Sequence, residues 1–154
     1  KSTSGARTMP QNPIQFQNGM SLNELNERYG TEAQKRTYIP PLAAGEKLGS
    51  FGLTEPMAGS DVAGMQSTAV RDGDHYILNG RKRYISNGNA ADTLLVFAKT
   101  DPEAGTRGIS LFIVPKIWVN EDGSLGEPND VVCTCIEEKM GIHGSPTCTL
   151  VFGE

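Results

Sequence analysis

From position 47 to the end of the chain, apolar and β-branched residues come in short runs, broken repeatedly by Gly, Asp, Asn or Pro, with almost no helical period. The pattern predicts strands over 48–53, 67–71, 75–78, 81–86, 93–99, 109–114, 131–138 and 147–152. Asp72-Gly73 and Asn79-Gly80 read as hairpin turns, because both need the positive φ that Gly and Asn tolerate. Their close spacing argues an all-β fold, an antiparallel barrel or sandwich of about eight strands. The stretch 116–130, with Asp122-Gly123, Gly126 and Pro128, reads as an excursion between strands, and there is no internal repeat.

The first forty residues are patterned differently. Positions 1–20 are rich in Ser, Gln, Asn, Pro and Gly and read as loop or disorder. Ser21-Leu22-Asn23-Glu24 has the form of a capping box and Gly30 that of a left-handed stop, which predicts a helix over 22–29. Positions 31–38 predict a further turn or two of helix, ended by Pro40 and Pro41, which have no amide to continue it. The expected organisation is therefore a loop (1–20), a short helical segment (21–38) and one β domain (39–154).

Composition narrows the function classes. A length of 154 residues favours one domain, and a formal net charge of -4 with pI near 5.2 argues against a nucleic-acid footprint or a polybasic membrane patch. No apolar run reaches the ~18 residues of a membrane span, and the N-terminus lacks the basic-then-apolar order of a secretory signal. Three cysteines cannot all pair within one chain, which fits a reducing compartment. The expectation is a soluble, intracellular protein.

Two segments carry most of the chemistry: Phe51-Gly-Leu-Thr-Glu-Pro-Met-Ala-Gly-Ser-Asp61 and Lys82-Arg-Tyr-Ile-Ser-Asn-Gly88. In the first, Thr54 ends a strand, Pro56 stiffens the exit, and Ala58-Gly59-Ser60-Asp61 is a small-residue bend where backbone can approach a phosphate or thioester chain. In the second, Tyr84 and Ser86 are two apart and share a strand face, which pairs a stacking ring with a hydroxyl donor. Together they suit a flat, polar, redox-active ring. A reduced flavin gathers negative charge near N1 and O2, and hydrogen bonds to a charged group stabilise it by roughly 1.5–3 kcal/mol each. The plainer readings are a strand end at Thr54, a core aromatic at Tyr84, and Asp61 capping a helical turn.

Other constellations are weaker. Cys133 and Cys135 would share a strand face, with His143 and Cys148 close in sequence, but Cys-x-Cys is not the usual zinc knuckle spacing, and no metal site is expected. No Gly-x-Ser-x-Gly elbow supports a hydrolase, and neither a P-loop nor a Rossmann fingerprint occurs.

The residues from about Tyr38 to Phe152 resemble the middle β-barrel domain of acyl-CoA dehydrogenases, through LAAGE, FGLTEPMAGSD, YILNGRKRYISNG, GISLFIVP and EKMGIHGSPTC in order. The resemblance implies FAD as cofactor, held by Phe51, Leu53, Thr54, Gly59 and Ser60 together with Tyr84, Ile85 and Ser86. It puts Thr54 on the pyrimidine edge of the flavin, Ser86 on N5, Tyr84 in a stack against the ring, and Ser60 beside the acyl-CoA substrate. Tyr84 and Ser86 stand where the family more often has Trp and Thr. The stretch from Val119 to Cys148 looks like the branch that includes methylthiopropanoyl-CoA dehydrogenases, whereas 9–34 is more similar to the start of an insertion-sequence transposase. The implied activity is α,β-dehydrogenation of acyl-CoA, with an electron-transfer flavoprotein as partner and a homo-oligomeric assembly, in the bacterial cytoplasm or the mitochondrial matrix. No catalytic residue is assigned, because the family's glutamate base lies in a C-terminal helical domain that the sequence does not reach, so a fragment inactive alone is expected. The competing expectations are a non-catalytic flavin- or protein-binding barrel and, behind it, a small zinc module.

Overall fold

The computed structural model describes residues 6–8 through their backbone, and residues 29–120 and 122–153 in full. Among the described residues ten strands are present: β1 (Ala6–Thr8), β2 (Gly49–Gly52), β3 (Thr68–Asp72), β4 (His75–Ser86), β5 (Thr93–Lys99), β6 (Ile109–Pro115), β7 (Ile117–Val119), β8 (Leu125–Pro128), β9 (Val131–Ile136) and β10 (Thr147–Phe152). Helix α1 (Glu32–Ala43) precedes β2. Eight strands form one curled sheet, and β7 and β8 form a separate hairpin. The all-β expectation holds.

β5 and β6 explain the sheet's two-sidedness. They pair antiparallel from Thr93↔Pro115 to Lys99↔Ile109 and are apolar at nearly every position, so each is buried on both faces. Leu94, Val96, Ala98, Phe112 and Val114 join Leu78, Ile85, Cys148 and Leu150 in one core. The alternate residues Leu95, Phe97, Leu111 and Ile113 pack on the other face against Tyr38, Met65 and Leu42. α1 thus covers the outer face of these strands.

The other edge of β5 is shared by two strands running parallel to it: β2 along Gly49↔Thr93 to Gly52↔Val96, and β3 at Thr68↔Lys99. β3 continues into an antiparallel pair with the first half of β4, whose second half pairs β10 and so reaches β9. β2 and the second half of β4 are consequently neighbours with no regular ladder between them, and side chains must fill the opening.

Several local expectations change. The turn expected at Asn79-Gly80 does not exist, and β4 runs through it. Gly80 has φ +147, and a Cβ there would collide with Ser67 Oγ, so this glycine serves a close approach of strands and not a reversal. Asp72-Gly73 does turn, with Gly73 at φ +61 and Asp72 paired to His75. Pro40 and Pro41 lie inside α1 and do not end it. The stop comes at Gly45 (φ +73), where the Glu46 amide bonds Pro41 O at 2.9 Å. A capping box opens α1, with Thr31 Oγ1 accepting from Gln34 N and Gln34 Oε1 from Thr31 N. The Ser21 capping box and nearly all of the helix over 22–29 lie outside the described residues. Strand β1, paired Ala6↔Leu78 to Thr8↔Tyr76, falls in the segment expected as loop. The excursion over 116–130 contains the β7–β8 hairpin.

Candidate functional site

A β-bulge in β4 brings the two chemical segments together. On β10, Cys148 pairs with Ile85 and Leu150 with Lys82, so Thr149 alone faces both Arg83 and Tyr84. The bulge turns the Arg83 amide away from β10, and it donates to Thr54 O at 2.8 Å. Ser50 Oγ donates to Ser86 O at 2.6 Å, and Lys82 Nζ donates to Leu53 O at 3.1 Å. Leu53 and Thr54 are therefore fastened to β4, and so is Ser86 to β2.

Lys82 is the unexpected member. Its side chain is 0% exposed, with Nζ 2.7 Å from Glu55 Oε1. Glu55 also accepts the amides of Gln66 (2.6 Å) and Ser67 (3.0 Å), so the pair fills the opening between β2 and β4 with its polar groups satisfied. Burial pushes the Glu55 carboxyl up, but Lys82 and the Ser67 and Gln66 hydrogen bonds outweigh it and hold it below the usual carboxylate range. Burial draws the Lys82 ammonium down against the opposing pull of Glu55. With so many short donors around the carboxylate, the pair is ionised at neutral pH. Glu55 is thereby committed to structure, and Glu137 is likewise held by Arg83 Nε at 3.2 Å.

Tyr84 and Ser86 are both exposed while Ile85 between them is 2% exposed, so the first two do face outward together. Tyr84 has φ 61, rare for a bulky residue, and the residue is 57% exposed. The guanidinium of Arg83 lies 4.8 Å from the ring centroid. Thr54 is half-buried, and the bonds described above use the main-chain oxygens of Thr54 and Ser86, not their hydroxyls. An outward aromatic face with adjacent hydroxyls suits a flat ligand with polar edges.

The remaining expected residues are less closely grouped. Phe51 is exposed and meets Phe97 edge-on at 5.3 Å, and Leu53 packs against the core under α1. Ile85 puts its side chain into the core, so only its main chain can reach a ligand on this surface. Glu55 and Ala58 exchange amide bonds at 3.0 and 3.2 Å, a tight turn that leaves Gly59 and Ser60 exposed beyond it. A Cβ on Gly59 would meet nothing within 4 Å. Asp61 precedes a short 3-10 turn (Val62–Gly64), but its side chain makes no capping bond.

Cys133 and Cys135 do not share a face: Cys133 pairs with Leu150 and Cys135 with the preceding residue, Thr149, which leaves Thr134 as a bulge. Among the described residues no three His, Cys, Asp or Glu side chains cluster to hold a metal ion. Two clefts lie elsewhere. One of about 650 Å³ opens between α1, residues 89–93 and the β7–β8 hairpin, and one of about 530 Å³ is lined by residues 55–57, 66–68, 79–81 and 151–153. Neither is lined by Thr54, Tyr84 or Ser86. No helix among the described residues is long and apolar enough to cross a membrane.

Residues 50–154 match the family model described as acyl-CoA dehydrogenase, middle domain. A short-chain-specific acyl-CoA dehydrogenase of Clostridium acetobutylicum is 48% identical over 128 residues, which is 83% of this chain and 31% of that protein. The solved butyryl-CoA dehydrogenase of Megasphaera elsdenii superimposes with TM-score 0.75 at 44% identity, over 86% of this chain and 32% of that one. A chain from a structure of the electron transferring flavoprotein of Acidaminococcus fermentans superimposes equally well, TM-score 0.75 at 45% identity over 84% of this chain and 32% of its own. The chain spans about a third of the length of the relatives it matches. These matches lend no support to a transposase-like opening over 9–34, most of which lies outside the described residues, nor to a methylthiopropanoyl-CoA dehydrogenase branch.

Proposed function

Since the chain belongs to the acyl-CoA dehydrogenase family through its middle domain, we propose that the face built from Thr54, Tyr84 and Ser86 holds the isoalloxazine ring of FAD. The protein then serves α,β-dehydrogenation of acyl-CoA thioesters. Bound FAD would supply the hydride acceptor. Thr54 donates its hydroxyl to the pyrimidine edge, Ser86 donates at N5, and Tyr84 covers one face of the ring. Ser60, on the exposed bend after the Glu55–Ala58 turn, lies beside the acyl thioester. Phe51, Leu53, Gly59 and the main chain at Ile85 complete the contacts.

The observation that carries this reading is the 2.8 Å bond from the Arg83 amide to Thr54 O, which holds the two segments edge to edge and leaves their hydroxyls out of the bond. Glu55 and Glu137 are both engaged by cations, so neither is offered as the base that takes the α-proton. On this view residues 39–154 are the flavin-binding domain and the isolated chain does not turn over. Electrons pass on to an electron-transfer flavoprotein, in keeping with the match to a chain from the Acidaminococcus fermentans electron transferring flavoprotein structure. A homo-oligomer in the bacterial cytoplasm or mitochondrial matrix completes the proposal.

The test is FAD titration of the chain carrying Thr54→Ala with Ser86→Ala. Loss of two hydrogen bonds to the neutral oxidised ring, roughly 0.5–1.5 kcal/mol each, predicts binding about five- to a hundredfold weaker. Unchanged flavin affinity with altered protein partners would point instead to a non-catalytic interaction barrel.

A further inference from the structure

We infer that Arg83 is a positioning residue that fixes the ring of Tyr84 and leaves it one open face for the flavin; this rests on the flavin reading of that face. Three separate contacts meet at Arg83. Its amide holds Thr54 O, its Nε donates to Glu137 Oε1 at 3.2 Å, and its guanidinium lies over the Tyr84 ring, 4.8 Å from the centroid. Glu137 is in turn anchored. Its amide bonds Thr147 O at 2.7 Å, and Thr149 Oγ1 donates to its carboxylate at 3.4 Å. Thr149 is the residue opposite the bulge, so the tether runs from the bulge in β4 to the facing residue of β10.

An exposed tyrosine at positive φ has little packing to set its side-chain angles. A planar guanidinium held by a carboxylate supplies that constraint, since Arg stacks flat on aromatic faces where Lys offers only a point charge. One ring face is thereby covered before any ligand arrives, and a ligand can stack only on the other. The same guanidinium places positive charge behind the stacked ring, where it favours the reduced, anionic flavin over the oxidised one. Arg83 thus couples orientation of the stack to the flavin's redox equilibrium, without touching the flavin itself.

Two measurements test this. In the chain without cofactor, the Arg83 Nε–H resonance should carry a ring-current displacement that disappears in Tyr84→Leu; its absence from the native chain would overturn the contact itself. With FAD bound, Arg83→Met should change the visible flavin spectrum and lower the reduced-to-oxidised ratio at fixed potential about tenfold, about 30 mV for a two-electron couple. Arg83→Lys should restore the ratio in part, because charge returns, but not the spectrum, because the flat stack does not. Tyr84→Leu separates the levels. If it alters the spectrum while Arg83→Met and Arg83→Lys match the native protein, the positioning role is wrong and the flavin reading stands. If Tyr84→Leu leaves bound flavin unchanged, the flavin reading of this face fails and the inference falls with it.

Discussion

Replacing Lys82 by Met tests how the opening between β2 and β4 is closed. Methionine fills much the same volume, so packing is nearly preserved while the ammonium and its bonds to Glu55 (2.7 Å) and Leu53 O (3.1 Å) are lost. Both partners are almost wholly buried, at 0% and 5% side-chain exposure, so solvent cannot take the place of the missing charge. Removing one member of such a pair typically destabilises by about 3–5 kcal/mol. For a chain of this size each kcal/mol lowers the melting temperature by roughly 2–4 °C, so a fall of about 6–20 °C is expected. The pH dependence gives the sign. Without Lys82 the folded-state pKa of Glu55 rises from its lowered native position, because burial then has less opposing it. The folded variant therefore binds more protons than the folded native chain, so the deficit should be largest at neutral pH and shrink as pH falls through the carboxylate range. Glu55→Gln on top of Lys82→Met removes the stranded charge yet keeps an acceptor for the Gln66 or Ser67 amide, and should recover more than half the loss. Urea melts of the three variants at several pH values supply the numbers. A loss under about 1 kcal/mol for Lys82→Met, or one that does not vary with pH, would refute the reasoning.

In the native chain the Glu55 pKa is lowered, so its contribution is present above the unfolded carboxylate value of 4.5 and is lost as pH falls through the folded one. Stability should decline below about pH 4.5 in acid titrations followed by circular dichroism, and Glu55→Gln should flatten that decline. Gly80→Ala places a Cβ 2.8 Å from the Ser67 backbone at φ +147, and equilibrium unfolding should register a loss of about 1–3 kcal/mol or more, the usual range for overpacking. Thr31→Ala removes one half of the capping box on α1 and should lower stability by about 1 kcal/mol in the same melts.

Most strands are legible in the sequence because their burial is simple. β5 and β6 are apolar at almost every position, and pairing inside a covered sheet removes both faces of such short runs from water. Single residues mislead where a tertiary contact outranks a local signal. Gly80 looks like a turn but is small because Ser67 sits against it, and Pro40 and Pro41 look like a stop but ride inside α1, which ends at Gly45. Asp122-Gly123 reads as a turn, yet the strands flanking it are too short and too exposed to announce a hairpin.

The candidate face is half legible. Tyr84 and Ser86 are expected on one outward face and are exposed together. Lys82 has the same parity and by alternation belongs beside them, but the bulge at Arg83 and Tyr84 reverses it into the interior. Nothing local in Lys-Arg-Tyr-Ile-Ser marks that bulge. Glycine would be the usual residue at its left-handed position, and here a tyrosine occupies it. The roles of Arg83 and Glu137 are equally hidden, since the two are far apart in sequence and meet only through β10.

The most direct measurement is amide chemical-shift mapping of the chain on addition of FAD. Residues 51–54, 59–60 and 84–86 should move together, with one shared affinity, while the cleft beside α1 and residues 66–68, 79–81 and 151–153 of the second cleft stay unchanged. Shifts confined to one of the two segments, or centred on either cleft, would contradict a flavin face assembled from both.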